Sequence, residues 1–163
     1  MKHKIVDLRG RESEVECIAC AIQSGKVANP GLIAQTEYFS AEQDFEFPIP
    51  GFVILASKRH LKSVDEFSED EQQDFMKFLV RLRSAMRKEL EIEHITLVQE
   101  ENTTTSHFHF WLFPHYQWMN EKFGKKIEAI QTIMEYARAN LKTASNLKAV
   151  DEATQKLKDK LQN

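Results

Sequence analysis

The segment His107-Phe108-His109-Phe110-Trp111-Leu112-Phe113 alternates histidine or an aromatic ring with apolar residues. In an extended strand every second side chain faces the same way, so this spacing puts His107, His109, Trp111 and Phe113 on one face. Phe108, Phe110 and Leu112 share the other. That second face is wholly apolar, while the first presents two imidazoles about 7 Å apart with an indole next in line. Imidazole titrates near neutral pH. A neutral ring can attack phosphorus, and a charged one can stabilise phosphate oxygens or protonate a leaving group. A single histidine is ordinarily satisfied by one hydrogen bond and does nothing more, but two on one rigid face can divide these roles.

The elements that must position this strand can be read from periodicity. Residues 1–30 alternate weakly and close on the turn signal Asn29-Pro30-Gly31. Residues 32–39 read as a strand, and Pro48, Pro50 and Gly51 punctuate the chain before a short buried strand at 52–56. Ser68 and Glu71 make a capping box, after which Phe75, Phe78, Leu79, Leu82, Met86 and Leu90 recur at helical spacing. A strand at 95–98 then enters the polar loop 99–106, from which the histidine strand returns. This order predicts an α+β fold, an antiparallel sheet covered by helix. From about Lys125 the pattern becomes two helical segments. Ile127, Ile130, Met134, Ala137 and Leu141 form one apolar stripe, and Leu147, Val150, Thr154, Leu157 and Leu161 form the other. These are expected to dock on the parent domain, so the division is 1–120 for the main domain and 121–163 for a helical extension.

The 163 residues are 42% hydrophobic and 29% charged, with a formal charge of -3, which suits one folded domain and disfavours a broad surface for nucleic acid backbone. No apolar run approaches the ~20 residues that span a bilayer, and the start lacks a signal-peptide stretch, so the expectation is a cytoplasmic protein without membrane contact. The two cysteines, Cys17 and Cys20, form a C-x-x-C. The motif leaves open a metal hook, a redox pair or two idle thiols.

The histidine strand resembles the His-φ-His-φ-His-φ-φ signature of the histidine triad superfamily, where φ is apolar, and the similarity runs through most of residues 16–114. Glu16-Cys17-Ile18-Ala19-Cys20 resembles the family's opening C-I-x-C. The stretch from Asp44 to Pro50-Gly51 resembles D-i-n-P-x-x-P-G. Residues 52–60 are similar to H-x-L-v-i-P-K-x-H, with His60 at the end. The resemblance implies five antiparallel strands with packed helices, usually a homodimer, binding purine nucleotides or dinucleoside polyphosphates. It implies His109 as the nucleophile that attacks the α-phosphorus of a nucleotide or nucleoside phosphoramidate, forming a nucleotidyl-histidine that water hydrolyses. His107 would support that ring or bind metal, and Asp44 would contact the ribose. Some bacterial members bind zinc through the cysteine pair and two histidines, which implies Cys17, Cys20, His60 and His107 here.

Two features depart from the pattern. Trp111 stands where a third histidine is expected and offers only an N–H donor. The loop before the strand contains no glycine, leaving Thr103, Thr104 and Ser106 to offer hydroxyl and backbone donors to phosphate, while Glu100 and Glu101 would repel it if turned inward. The first reading is therefore a nucleotide hydrolase or nucleotidyl transferase, and the alternative is a nucleotide-binding regulatory protein with little turnover. A third reading makes His107 and His109 ligands of a catalytic metal in a β-barrel, against which no Asp or Glu follows at short spacing on that strand.

Overall fold

The computed structural model describes residues 2–101 and 107–162. A hairpin of β1 (His3–Val6) and β2 (Glu12–Val15) leads into the short helix α1 (Ile18–Gln23). The main sheet comprises β3 (Leu32–Gln35), β4 (Phe39–Gln43), β5 (Val53–Ser57), β6 (His94–Gln99) and β7 (His109–His115), in spatial order β3-β4-β5-β7-β6 with every pairing antiparallel. The sheet is open and not a barrel, which removes the framework that the third reading required.

Residues 32–39, expected as one strand, are instead the whole of β3, a turn and the first residue of β4. The Thr36 N–H donates to the Phe39 carbonyl at 2.9 Å and the Phe39 N–H donates to Thr36 Oγ1 at 3.1 Å. A threonine-built reversal without Gly or Pro leaves no compositional mark. The turn at 48–51 is where it was expected. Gly51 sits at φ +70°, a conformation that strains any other residue, and a Cβ there would lie 2.8 Å from Leu90 Cδ1, so that side chain would also have to shift.

Helix α2 (Glu69–Glu89) begins at the anticipated capping box. Ser68 Oγ accepts from the Glu71 N–H, and the Glu71 carboxylate accepts from the Ser68 N–H. Its buried Phe75, Phe78, Leu82 and Met86 pack on Val53 and Leu55 of β5 and on Phe108 and Leu112. The apolar face of the histidine strand is thus sealed against a 21-residue helix, which fixes the register of β7 and turns His109 and Trp111 to the opposite face.

Past Lys125 the chain forms the two expected helical segments, and one further short helix precedes them. No start signal marks the first residues of α3 (Gln117–Phe123), whose N-cap Tyr116 makes no side-chain capping bond. Helix α4 (Ala129–Asn140) lays Ile130, Ile133, Met134 and Ala137 over Phe52 and Phe113 on the second sheet face. Ile127, counted in the expected stripe, is 62% exposed, and Ile133 supplies that contact. Helix α5 (Ala144–Gln162) buries Val150, Thr154, Leu157 and Leu161, with Leu157 and Leu161 joining the α2 core. Each fully buried leucine of this kind stabilises by roughly 1.5–3 kcal/mol, so α5 is bound to the sheet domain. Among the described residues no helix is long and apolar enough to cross a membrane.

Candidate functional site

His109 opens β7 in register with Ala56 of β5, which in turn faces Ser40 of β4. Its Nδ1 lies 2.9 Å from the backbone carbonyl of His107. A carbonyl can only accept, so Nδ1 carries the proton and Nε2 keeps the lone pair. The ring is partly exposed, and the described structure gives Nε2 no hydrogen-bond partner. This is the tautomer a nitrogen nucleophile needs.

His107 is buried and spends its ring differently. Nε2 is 2.8 Å from the Ser57 carbonyl and 3.2 Å from Ser57 Oγ, which places the proton on Nε2. Nδ1 then presents its lone pair to Cys17 Sγ at 3.3 Å, Cys20 Sγ at 3.4 Å and His60 Nδ1 at 3.2 Å. Burial holds the His107 pKa below its ordinary value, which keeps the ring neutral. Ser57 was not among the residues singled out from sequence. The available signal was a serine where the family pattern carries proline.

The four donors converge from three parts of the chain. Cys17 is the N-cap of α1 and Cys20 lies in its first turn, so the expected tight turn of the C-x-x-C is a helix start. His60 follows β5 and His107 precedes β7. Cys20 Sγ lies 3.2 Å from His60 Nδ1, and all four donor atoms lie within 4.8 Å of one another. Nitrogen and sulfur donors placed tetrahedrally at zinc bond lengths stand about 3.3–3.8 Å apart, close to the separations found. Burial and the neighbouring Cys17 thiol push Cys20 up to about 11, a thiol that a divalent cation would deprotonate. The donor set and the Nε2–H···O=C orientation of His107 both suit a closed tetrahedral metal. Among the described residues His109 is not part of this cluster.

Asp44 follows β4 on the sheet face that also carries Ser40 and His109, by strand alternation. Strand geometry puts it roughly 16 Å from His109, so a ligand touching both must be extended. Its Oδ1 accepts from the Glu46 and Phe47 N–H groups at 2.8 and 2.7 Å, and burial outweighs those bonds to raise its pKa to about 7. Trp111 lies beside His109, ring centroids 6.1 Å apart, and packs edge-on against Phe52 at 5.8 Å. Thr103, Thr104 and Ser106 lie outside the described residues. Glu101 is turned aside, accepting from Ser63 Oγ at 2.7 Å. A network that sequence reasoning missed runs beside Asp44: Gln23 donates to Ser40, and both Ser40 and Asn29 donate to buried Glu42.

No family model matches this sequence, and no curated protein matches it. Solved structures do. A zinc-bound histidine triad family protein from Mycobacterium smegmatis is similar with a TM-score of 0.61 at 17% identity, over 88% of this chain and 94% of that one. A HIT family protein from Bacillus anthracis has a TM-score of 0.58 at 22% identity, over 82% of this chain and 94% of its own. A hypothetical histidine triad nucleotide-binding protein from Sulfolobus tokodaii has a TM-score of 0.56 at 16% identity, over 87% and 94%. The chain has the histidine triad fold.

Proposed function

We propose that this chain is a nucleotide-handling member of the histidine triad superfamily, a hydrolase or nucleotidyl transferase that acts at the α-phosphorus of a purine nucleotide or dinucleoside polyphosphate. The observation that carries the reading is the His109 tautomer: Nδ1–H is tied to the His107 carbonyl and Nε2 is left with its lone pair on a partly exposed sheet face. In the first step Nε2 attacks phosphorus, a P–N bond forms, and the bond to the leaving group breaks with its electron pair. In the second, an acceptor oxygen displaces the histidine, the P–N bond breaks, and the ring returns to neutral while the acceptor's proton passes to solvent. Asp44 binds the sugar at the far corner of the same face, and Trp111 provides an aromatic wall beside the reacting phosphorus.

Cys17, Cys20, His60 and His107 would hold zinc, whose chemistry here is a structural cross-link. A second copy of the chain is the expected partner. Leu97 on edge strand β6 and Val80 and Met76 on α2 are exposed apolar side chains, beside a groove that Arg83 and Arg87 also line.

The reading is tested by mixing the protein with a dinucleoside polyphosphate, quenching rapidly and measuring intact mass. A nucleotidyl adduct is expected in wild type and absent in His109→Ala; an adduct of equal yield in the variant sinks the mechanism. Trp111 in place of a titratable third histidine favours a binding-only protein as the second reading. Saturable nucleotide binding without product over long incubation would select it.

A further inference from the structure

Asp44 does not face open solvent alone. It lines a cavity of about 230 Å³ whose remaining walls are the β1–β2 turn (Asp7, Leu8, Arg9), residues 29–32, and α5. Residues 3–15 and 144–162 both lie outside the stretch that carries the histidine triad motifs, so the Asp44 pocket is closed by segments that those motifs do not include. The Arg9 guanidinium pairs with Asp151 of α5 and joins hairpin to helix across the rim. The Asp7 carboxylate is held within the hairpin by Arg11 and by the N–H groups of residues 9 and 11.

Once these pairs are set aside, two charged groups on the wall are left over. Asp44 has one oxygen committed to backbone N–H groups and the other without a partner among the described residues. Lys158, partly buried on α5, has no ion-pair partner among the described residues. The Asp44 part of the lining therefore asks for hydroxyl or N–H donors, and the α5 part, an ammonium with donors only, asks for an acceptor. The volume is below the usual range for whole drug-sized ligands and suits one nucleoside, not two.

We propose that this cavity is the nucleoside-selecting pocket of the protein and that Lys158 is its specificity-determining residue, reading the acceptor edge of a 6-oxopurine while Asp44 takes the ribose hydroxyls. The inference rests on the nucleotide reading above. Guanine presents adjacent O6 and N7 acceptors to a lysine, whereas adenine offers N7 beside an amino donor that an ammonium cannot satisfy. The mismatch leaves one donor facing another, and discrimination of about tenfold follows.

The test uses the full chain and equilibrium binding of GMP and AMP, with the His109 adduct measured on the same protein preparations after mixing with a dinucleoside polyphosphate, whose leaving group the monophosphates lack. Wild type is expected to bind GMP about tenfold more tightly than AMP. Lys158→Ala should remove that preference while Lys158→Arg keeps it, and Asp44→Asn should weaken both nucleotides by a similar factor. Equal affinities in wild type, or a preference that survives Lys158→Ala, overturns the pocket assignment even if the His109 adduct forms. A Lys158-dependent GMP preference with no adduct leaves the pocket standing and removes the enzyme reading.

Discussion

Chelating the metal, or replacing both cysteines by alanine, should cost this protein a large part of its stability. The cluster joins residues that are 40 apart in sequence at Cys20 and His60, and 90 apart at Cys17 and His107. Closing one loop of either length restricts the unfolded chain by about 4–5 kcal/mol on the chain-entropy relation used for disulfides. A metal joining three segments closes more than one such loop, so this is a lower figure for the cross-link. At about 2–4 °C per kcal/mol for a chain of this size, the melting temperature should fall by about 10 °C or more. The assay is calorimetric unfolding of zinc-loaded protein with and without chelator, beside the double variant Cys17→Ala/Cys20→Ala and zinc determination on each sample. The variant should melt at the chelated wild-type temperature and be indifferent to chelator. Wild-type protein that binds no zinc, or whose melting point chelation leaves unmoved, refutes the reasoning.

Other outcomes follow from separate parts of the molecule. Glu71 is buried and accepts from Arg59 and from the Ser68 N–H, interactions that hold its pKa near 2. Because that is below the unfolded value, its contribution is present above about pH 4.5 and fades as pH falls toward 2. Glu71→Gln should therefore cost about 2 kcal/mol at pH 7 in denaturant unfolding and much less at pH 2; an equal cost at both would contradict the linkage. The Asp44 carboxyl titrates near 7, so nucleoside binding should strengthen as pH rises through 7, with Asp44→Asn flattening that profile in a binding titration. Leu97→Asp should convert a dimer to monomers in sedimentation velocity, and a dimer that persists would place the second copy elsewhere.

How far the sequence reaches depends on how local the cause is. The capping box at Ser68 and Glu71 and the apolar spacing of α2 are local, and α2 appears where they put it. The two-sided pattern of the histidine strand is equally local, and its faces separate as the alternation requires. The β3–β4 reversal was invisible because threonine, not glycine or proline, builds it. The tautomers of His107 and His109 were also out of reach, since they depend on the Ser57 and His107 carbonyls, and backbone acceptors have no sequence signature. The walls that α5 and the hairpin turn add around Asp44 come from segments over a hundred residues apart, which no periodicity links.

His107 serves its two neighbours with different atoms. Its imidazole faces the sulfur cluster, but what holds the His109 ring is its main-chain oxygen. Every amino acid carries that oxygen, so replacing the side chain at 107 takes away a donor of the proposed metal site and leaves the His109 ring proton where it was. The two proposed roles are therefore separable: a variant that has lost the donor at 107 would keep the His109 tautomer, provided the strand before β7 kept its course.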